Sequence, residues 1–131
     1  MLADELGRAY RFALVGALNT AVGLGLIFLA KYAAGFGDGP ANAIGYSVAF
    51  GLSFTVNRSW TFRHSGAWRL AFARSLVVVG GAYACNLATV LGLIASGVQA
   101  DLAQASGVVP YVLVSYAGFR CWAFRTTSGT G

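Results

Sequence analysis

The chain has 131 residues, of which nine are basic, four are acidic and 57% are apolar. A soluble domain carries about 25% charged residues, whereas the share here is 10%, and this composition excludes a soluble enzyme. Four stretches of 18 to 26 residues contain no charged side chain: residues 12–30, 39–57, 75–100 and 102–119. Each is close to the roughly 20 residues that cross a bilayer as a helix. We therefore predict a small all-α integral membrane protein with four transmembrane helices.

The first predicted span, at about residues 12–33, follows Arg8 and Arg11 as the apolar core of a signal peptide would. Its apolar run is longer than such a core, and Lys31-Tyr32 follows without a cleavage site, so we predict a retained span. The remaining predicted segments are a second span, a cytoplasmic amphipathic link, two further spans and a flexible tail: residues 40–58, 64–74, 75–97, 103–121 and 126–131. Together these segments predict one membrane domain over residues 1–131.

The basic residues are distributed unevenly around these spans. Eight of the nine lie before the first span, between the second and the third, or at the end of the fourth: Arg8, Arg11, Arg58, Arg63, Arg69, Arg74, Arg120 and Arg125. Because basic flanks stay in the cytoplasm, we predict a multi-pass protein of the cytoplasmic (inner) membrane with both termini cytoplasmic. The positive charge then fits anionic lipids and does not indicate a nucleic acid partner.

The second half of the chain repeats the first at an offset of 62 residues. Residues 41–63 align with residues 103–125 with eight identities, and the densest match is the motif R-x-W-x-F-R that ends both segments. Arg11 and Arg74 match at an offset of 63, and each precedes an apolar span. We therefore predict two helical hairpins, repeated in parallel about an axis along the membrane normal.

Two motifs of the first half carry a family resemblance. The sequence RFALVG at residues 11–16, with Asn19, opens the first span, and SFTVNRSWTF at residues 53–62 closes the second. With four spans in 131 residues, the chain resembles the GtrA-like family over residues 8–125. That family includes the membrane region of some polyprenyl-phosphate mannose synthases.

The resemblance implies one of two roles. The protein would flip a polyprenyl-phosphate-linked sugar across the cytoplasmic membrane for cell-surface polysaccharide synthesis or modification. Alternatively, it would be a non-transporting subunit that anchors or recruits a polyprenyl-phosphate glycosyltransferase. The second copy of the motif departs from the first, because Phe119 stands where the first copy has Asn57.

Basic residues at the span ends are the predicted contacts for the lipid phosphate. A guanidinium stays charged and can bind phosphate oxygens through two hydrogen bonds. The candidates are the arginines that close the two hairpins: Arg58, Arg63, Arg120 and Arg125. Lys31, at the outer end of the first span, either pairs with Asp38 or receives the phosphate at the outer leaflet.

The alternative for the arginines is topological anchoring. An arginine near the bilayer centre is costly, so these side chains are expected at the interface. Tryptophans are enriched at the same depth, and three are predicted interfacial anchors: Trp60, Trp68 and Trp122. Phosphate binding and anchoring both remain open.

Three asparagines form the second predicted group. Asn19, Asn57 and Asn86 lie within or at the ends of spans, and an amide can both donate to and accept from sugar hydroxyls. Equally, each can serve only as a hydrogen bond between helices. With Phe119 in place of the amide, the second hairpin lacks the counterpart of Asn57.

Other functional classes find little support. A small drug exporter needs an intramembrane carboxylate, and all four acidic residues lie outside the predicted spans. The chain has no nucleophile–base pair, acid pair or nucleotide loop, so we predict that it is not an enzyme. One histidine and two separated cysteines predict neither a metal site nor a cofactor. The expected partners are the lipid-linked sugar, anionic lipids, and a second copy of the chain or a membrane-associated glycosyltransferase.

Overall fold

The computed structural model describes residues 1–125, apart from the side chain of Asp38. The predicted flexible tail at residues 126–131 lies outside the described residues. All regular elements of the described chain are helical, as the predicted all-α fold requires. The chain divides into two compact units, one formed by Met1–Arg63 and one that begins at His64, and each unit is a helical hairpin.

The first hairpin consists of two helices and one π-helical turn, namely α1 (Leu2–Tyr32), α2 (Asp38–Val56) and the first π turn (Asn57–Thr61). The chain reverses after α1 through Gly35, whose φ of 73° lies in the left-handed region that glycine adopts without steric cost. The Phe36 N–H donates to the Ala30 carbonyl oxygen at 3.0 Å and satisfies one of the unpaired carbonyls at the end of α1.

The second hairpin has the same order of elements, namely α3 (Trp68–Ala95), α4 (Ala100–Gly118) and the second π turn (Phe119–Ala123). Gly97, with a φ of 90°, follows the end of α3 and reverses the chain. Pro110 lies inside α4, which continues through it. The two π turns lie 62 residues apart, so the repeat seen in the sequence is also a repeat of backbone structure.

Glycines let the two helices of each hairpin approach closely. A Cβ atom at Gly45 would clash with Ile27 and would lie 2.9 Å from the carbonyl oxygen of Gly23. In the second hairpin, a Cβ atom at Gly107 would lie 2.6 Å from the side chain of Val90. Gly45 corresponds to Gly107, and Ile27 to Val90, in the repeat. Both hairpins therefore use the same close packing between small and branched residues.

Three helical segments are long and apolar enough to cross a membrane: α1, α3, and the run Ala100–Ala123 that joins α4 to the second π turn. Only 11% of the most apolar part of α1 is buried inside the protein, and large apolar side chains such as Leu18 and Leu29 are exposed. Apolar surface of this extent fits contact with lipid. The protein is therefore a multi-pass membrane protein. The second predicted span, at residues 40–58, corresponds to α2, which has 19 residues, includes Asn42 and Ser53, and is not one of these three segments.

Each hairpin gathers its arginines at the end where its first helix begins and its second helix finishes, which we call the Arg-rich end. These residues are Arg8, Arg11, Arg58 and Arg63 in the first hairpin and Arg69, Arg74, Arg120 and Arg125 in the second. Arg8 also forms an ion pair with Glu5 at 2.8 Å. The two hairpins thus carry four arginines each at equivalent ends.

Helix boundaries differ from the predicted spans at these ends. The helix α1 begins at Leu2, well before residue 12, so Arg8 and Arg11 lie within it. The helix α3 begins at Trp68, which divides the predicted 64–74 link into a short non-helical connection and the first turns of α3. Uncharged stretches mark the part of a helix that crosses hydrocarbon, whereas the helix itself continues into the interface because its backbone groups remain paired there.

Candidate functional site

The first π turn determines how the polar residues at the end of α2 are presented. The Phe62 N–H donates to the Asn57 carbonyl oxygen at 2.8 Å, a bond between residues five apart. A π turn inserts one residue into the α-helical repeat, and such turns are frequent at functional sites. The inserted residue changes the direction in which the side chains of Asn57 and Arg58 leave the helix.

Asn57 is the largest polar side chain buried in this turn, with 1% of its surface exposed. Its Nδ2 atom donates to the Ser53 Oγ atom at 3.1 Å. Its Oδ1 atom is buried and has no hydrogen-bond partner within the described residues. Arg58 follows directly and is half-buried. A buried amide and a partly buried guanidinium therefore occupy consecutive positions at the Arg-rich end.

Asn19 on α1 lies further from the Arg-rich end of the first hairpin. Phe12 packs against Phe62, with ring centroids 6.3 Å apart, and Gly23 lies against α2 further along. The antiparallel register between these two contacts brings Asn19 level with Ser53. The Asn19 Oδ1 atom is also buried and has no partner in the part of the chain that the structure describes. The structure thus places the predicted residues Asn19 and Asn57 in one hairpin, with Asn19 level with a residue that lies about one helical turn from Asn57 along α2.

Two residues of this site were not predicted from the sequence. The Arg11 guanidinium lies over the Trp60 ring, 5.5 Å from its centroid, and ties α1 to the first π turn. Thr61 is 3% exposed, and its hydroxyl oxygen has no partner among residues 1–125. The signal for Thr61 was present in the repeat, because the equivalent residue of the second hairpin is Ala123.

The second hairpin reproduces the backbone of this site without its amide. The Arg74 guanidinium lies over the Trp122 ring at 5.4 Å, and its Nη1 atom donates to the Trp122 carbonyl oxygen at 3.3 Å. Phe119 occupies the place of Asn57 and is buried. Arg120 follows it and is exposed, whereas its counterpart Arg58 is half-buried. A buried side-chain amide at this turn is therefore confined to the first hairpin.

A comparison with known families agrees with this arrangement of motifs. A family model described as GtrA/DPMS, transmembrane domain, matches residues 11–124. The chain belongs to this family. Membership confirms the predicted GtrA-like family and assigns the chain to the membrane proteins of polyprenyl-phosphate sugar pathways. No curated protein sequence matches the chain.

The GtrA-family match covers the predicted site residues except Arg125, which lies just beyond it. Arg125 and Arg63 are both exposed. Arg63 has a φ of 48°, a left-handed conformation that is uncommon for residues other than glycine, and it ends the first hairpin. These two arginines thus face outward, unlike Arg58.

Asn86 lies in the second hairpin, where its surroundings are those of a packing residue. A Cβ atom at Gly107 would lie 2.8 Å from the Asn86 Nδ2 atom, so the amide rests against the backbone of α4. Asn86 is half-buried. This contact favours a packing role for Asn86 between α3 and α4.

Lys31 lies at the end of the first hairpin opposite the Arg-rich end. Its Nζ atom is 5.6 Å from the centroid of the Tyr32 ring. The predicted pairing with Asp38 involves a side chain outside the described residues. The structure therefore does not bring Lys31 together with Asn57 and Arg58.

The three predicted tryptophan anchors are all partly exposed, as interfacial residues are expected to be. Trp60 and Trp122 each have an arginine over one face. Trp68 stacks on Phe72, with ring centroids 5.1 Å apart and planes within 6° of parallel. All three lie at the Arg-rich end of their own hairpin.

Proposed function

We propose that the protein translocates a polyprenyl-phosphate-linked sugar across the cytoplasmic membrane for cell-surface polysaccharide synthesis or modification. In this proposal the first π turn binds the head group of the lipid. The polyprenyl tail stays in the surrounding hydrocarbon while the head changes sides. No covalent chemistry is needed, because translocation leaves every bond of the lipid intact, and we propose that the protein is not an enzyme.

The adjacency of Asn57 and Arg58 carries this proposal. A phosphate offers only acceptor oxygens, which guanidinium N–H groups bind strongly. Sugar hydroxyls both donate and accept hydrogen bonds, and a side-chain amide can accept from them and donate to them. The chain presents the two groups on consecutive residues, the amide buried and the guanidinium half-buried. At the Arg-rich end, Arg58 can meet a phosphate at the interface without entering the bilayer centre, where its charge would be costly.

We further propose four spans, with α2 included, and both Arg-rich ends and both termini in the cytoplasm. Eight of nine basic residues then lie on the cytoplasmic side, as the positive-inside rule expects. Anionic lipids of that leaflet would contact the exposed arginines. Lipid-linked sugars made in the cytoplasm would reach Arg58 from the same side.

A non-transporting subunit that recruits a glycosyltransferase is the second candidate. Exposed basic side chains at the Arg-rich ends favour it, because each hairpin offers positive charge to a partner: Arg63 in the first, and Arg69 and Arg125 in the second. In either case we propose a complex, either a homo-oligomer or an assembly with the transferase. Mass measurement in lipid nanodiscs, with and without the transferase, would distinguish these assemblies.

Reconstitution of the purified protein alone separates the two functions. Liposomes would carry a polyprenyl-phosphate hexose, and a membrane-impermeant glycosidase added outside would report which fraction of the lipid faces outward. We expect the protein to make the inner pool accessible, which protein-free liposomes would not do. Unchanged accessibility would exclude unaided translocation and favour the recruiting subunit.

A further inference from the structure

Three side chains of the first hairpin carry a buried oxygen that has no hydrogen-bond partner among the described residues. They are the amide oxygens of Asn19 and Asn57 and the hydroxyl oxygen of Thr61. Asn57 and Thr61 are 1% and 3% exposed. A buried polar atom without a partner lowers stability, and native proteins rarely retain one unless it has a function.

The second hairpin provides an internal control for these positions. The repeat offsets of 63 for the first helix and 62 for the second align Asn19, Asn57 and Thr61 with Ala82, Phe119 and Ala123. All three equivalents are apolar and belong to the buried core of the second hairpin, with exposures of 0%, 5% and 1%. The fold therefore accepts an apolar side chain at each of these positions and does not require polarity there.

Serine positions strengthen this comparison. Ser53 and Ser115 are identical in the two hairpins, and both have partners: Ser53 accepts from Asn57, and Ser115 donates to the Tyr111 carbonyl oxygen at 2.7 Å. The serine hydroxyls shared by both hairpins thus have partners. The buried side-chain oxygens without a partner among the described residues occur where the two hairpins differ.

The three residues lie at successive levels along the first hairpin. Thr61 and Asn57 lie four residues apart on the first π turn, and Asn19 is level with Ser53, four residues further along α2. Eight residues span about 12 Å along a helix at 1.5 Å per residue. The three residues therefore extend from the Arg-rich end toward the middle of the hairpin.

The chemistry of these atoms selects the ligand. An amide oxygen only accepts hydrogen bonds, so it cannot bind a phosphate, which also only accepts. A hydroxyl-rich group supplies the missing donors. Building on the proposed function, we propose that Asn19, Asn57 and Thr61 form a recognition track for the hydroxyls of the lipid-linked hexose, while Arg58 holds its phosphate. Because Asn57 and Thr61 are almost fully buried, a sugar reaches them only when the helices around them move apart.

The test compares three lipids that share the polyprenyl phosphate and differ in the sugar that it carries. Binding of polyprenyl phosphate and of its glucosyl and mannosyl forms would be measured in nanodiscs, with phosphatidylglycerol as a competitor that also carries hydroxyls. We expect the wild-type protein to prefer a hexosyl form. Replacing the track with its second-hairpin equivalents (Asn19→Ala, Asn57→Phe and Thr61→Ala) should remove this preference and leave binding of the bare phosphate within about twofold, because Arg58 is retained.

Shape-preserving variants guard against misfolding. Asn19→Leu and Thr61→Val remove the unsatisfied atoms, so each should keep or raise the melting temperature while it weakens hexosyl-lipid binding about fivefold, as loss of one hydrogen bond does. Ser115→Ala, which removes a satisfied hydroxyl from the second hairpin, is the matched control and should leave the preference unchanged.

The outcomes separate the two proposals. A wild-type protein that binds none of the polyprenyl lipids would refute the proposed function and the track with it. Equal wild-type binding of bare and hexosyl lipids, or a preference that survives both sets of track variants, would refute the track alone. If phosphatidylglycerol displaced the hexosyl lipid from the wild-type protein, the track would bind the hydroxyls of ordinary lipids and would not recognise the sugar. This result would also refute the track.

Discussion

Arg58 and Arg120 occupy equivalent positions on the two π turns but have different surroundings. Arg58 is half-buried beside the buried amide of Asn57, whereas Arg120 is exposed beside the apolar ring of Phe119. A partly desolvated guanidinium binds an anion more strongly than an exposed one, because water competes less for its N–H groups. The environment of each arginine, more than its place in the repeat, decides whether it can bind the lipid phosphate.

We therefore expect Arg58→Gln to reduce transport far more than Arg120→Gln. Loss of a hydrogen bond to a charged group is worth about 1.5–3 kcal/mol, so the first variant should lose at least about tenfold in activity. The second should lose less than about fivefold, since an exposed ionic contact contributes about 0–1 kcal/mol. The liposome accessibility assay measures both. Equal and mild losses would favour anchoring for both arginines.

A second prediction at this scale concerns the glycine contact between α1 and α2. Gly45→Ala adds a Cβ atom only 2.9 Å from the backbone oxygen of Gly23, which cannot move without shifting α1. Overpacking costs about 1–3 kcal/mol, so we expect a lower melting temperature in mild detergent. Gly51→Ala, on the same helix with nothing within 4 Å, is the control. It should be neutral or slightly stabilising because alanine favours the helix. An unchanged melting temperature for Gly45→Ala would show that the helices separate easily.

At the scale of elements, each hairpin is closed by the same combination of a π turn and an arginine–tryptophan contact. Arg11 covers Trp60 in the first hairpin, and Arg74 covers Trp122 in the second. Each contact ties the start of the first helix to the end of the second. Such ties hold the two π turns against their neighbouring helices, and with them the residues that the first π turn presents.

Much of this arrangement could be predicted from the sequence, but its details could not. Charge-free stretches indicate the membrane helices, and the 62-residue repeat indicates two hairpins, because both features depend on composition and order alone. The π turns could not be predicted, since one inserted residue does not alter the apolar pattern of a single turn. The contact of Arg11 with Trp60 depends on tertiary packing across 49 positions. Thr61 was overlooked because a threonine at a span end is ordinary until its burial is known.

The two arginine–tryptophan contacts should differ in strength. Arg11→Gln removes a cation–π contact worth about 0.5–1 kcal/mol at an exposed site. Arg74→Gln removes such a contact and also the hydrogen bond to the Trp122 carbonyl oxygen. Hydrogen–deuterium exchange in nanodiscs should therefore rise about twofold to fivefold in residues 57–62 for the first variant, and more in residues 119–124 for the second. Arg8→Gln, which affects only the ion pair with Glu5, should change neither segment. Equal exchange in all three variants would show that the contacts do not hold the π turns.

At the scale of the whole molecule, the proposed topology rests on the distribution of charge. Each hairpin has four arginines at its Arg-rich end, and the connection at its other end has Lys31 or no basic residue. The positive-inside rule applied to each hairpin separately gives the same result, with the Arg-rich end in the cytoplasm. Four spans place both Arg-rich ends on the cytoplasmic side, provided that α2 crosses the membrane despite its polar residues.

Single cysteines at the helix connections test this topology directly. In a background without Cys85 and Cys121, both of which are exposed, the variants Ala34→Cys, Ser65→Cys and Gln99→Cys place a thiol at three exposed connections. A membrane-impermeant thiol reagent added to intact spheroplasts should label residues 34 and 99, and should reach residue 65 only after permeabilisation. Residues 34 and 65 flank the two ends of α2, so their labelling shows whether α2 crosses the bilayer. Labelling of both residues in intact spheroplasts would mean that α2 does not cross the bilayer. The chain would then have three spans, and the first π turn would lie on the side opposite to the one that Arg58 needs in order to receive a lipid made in the cytoplasm.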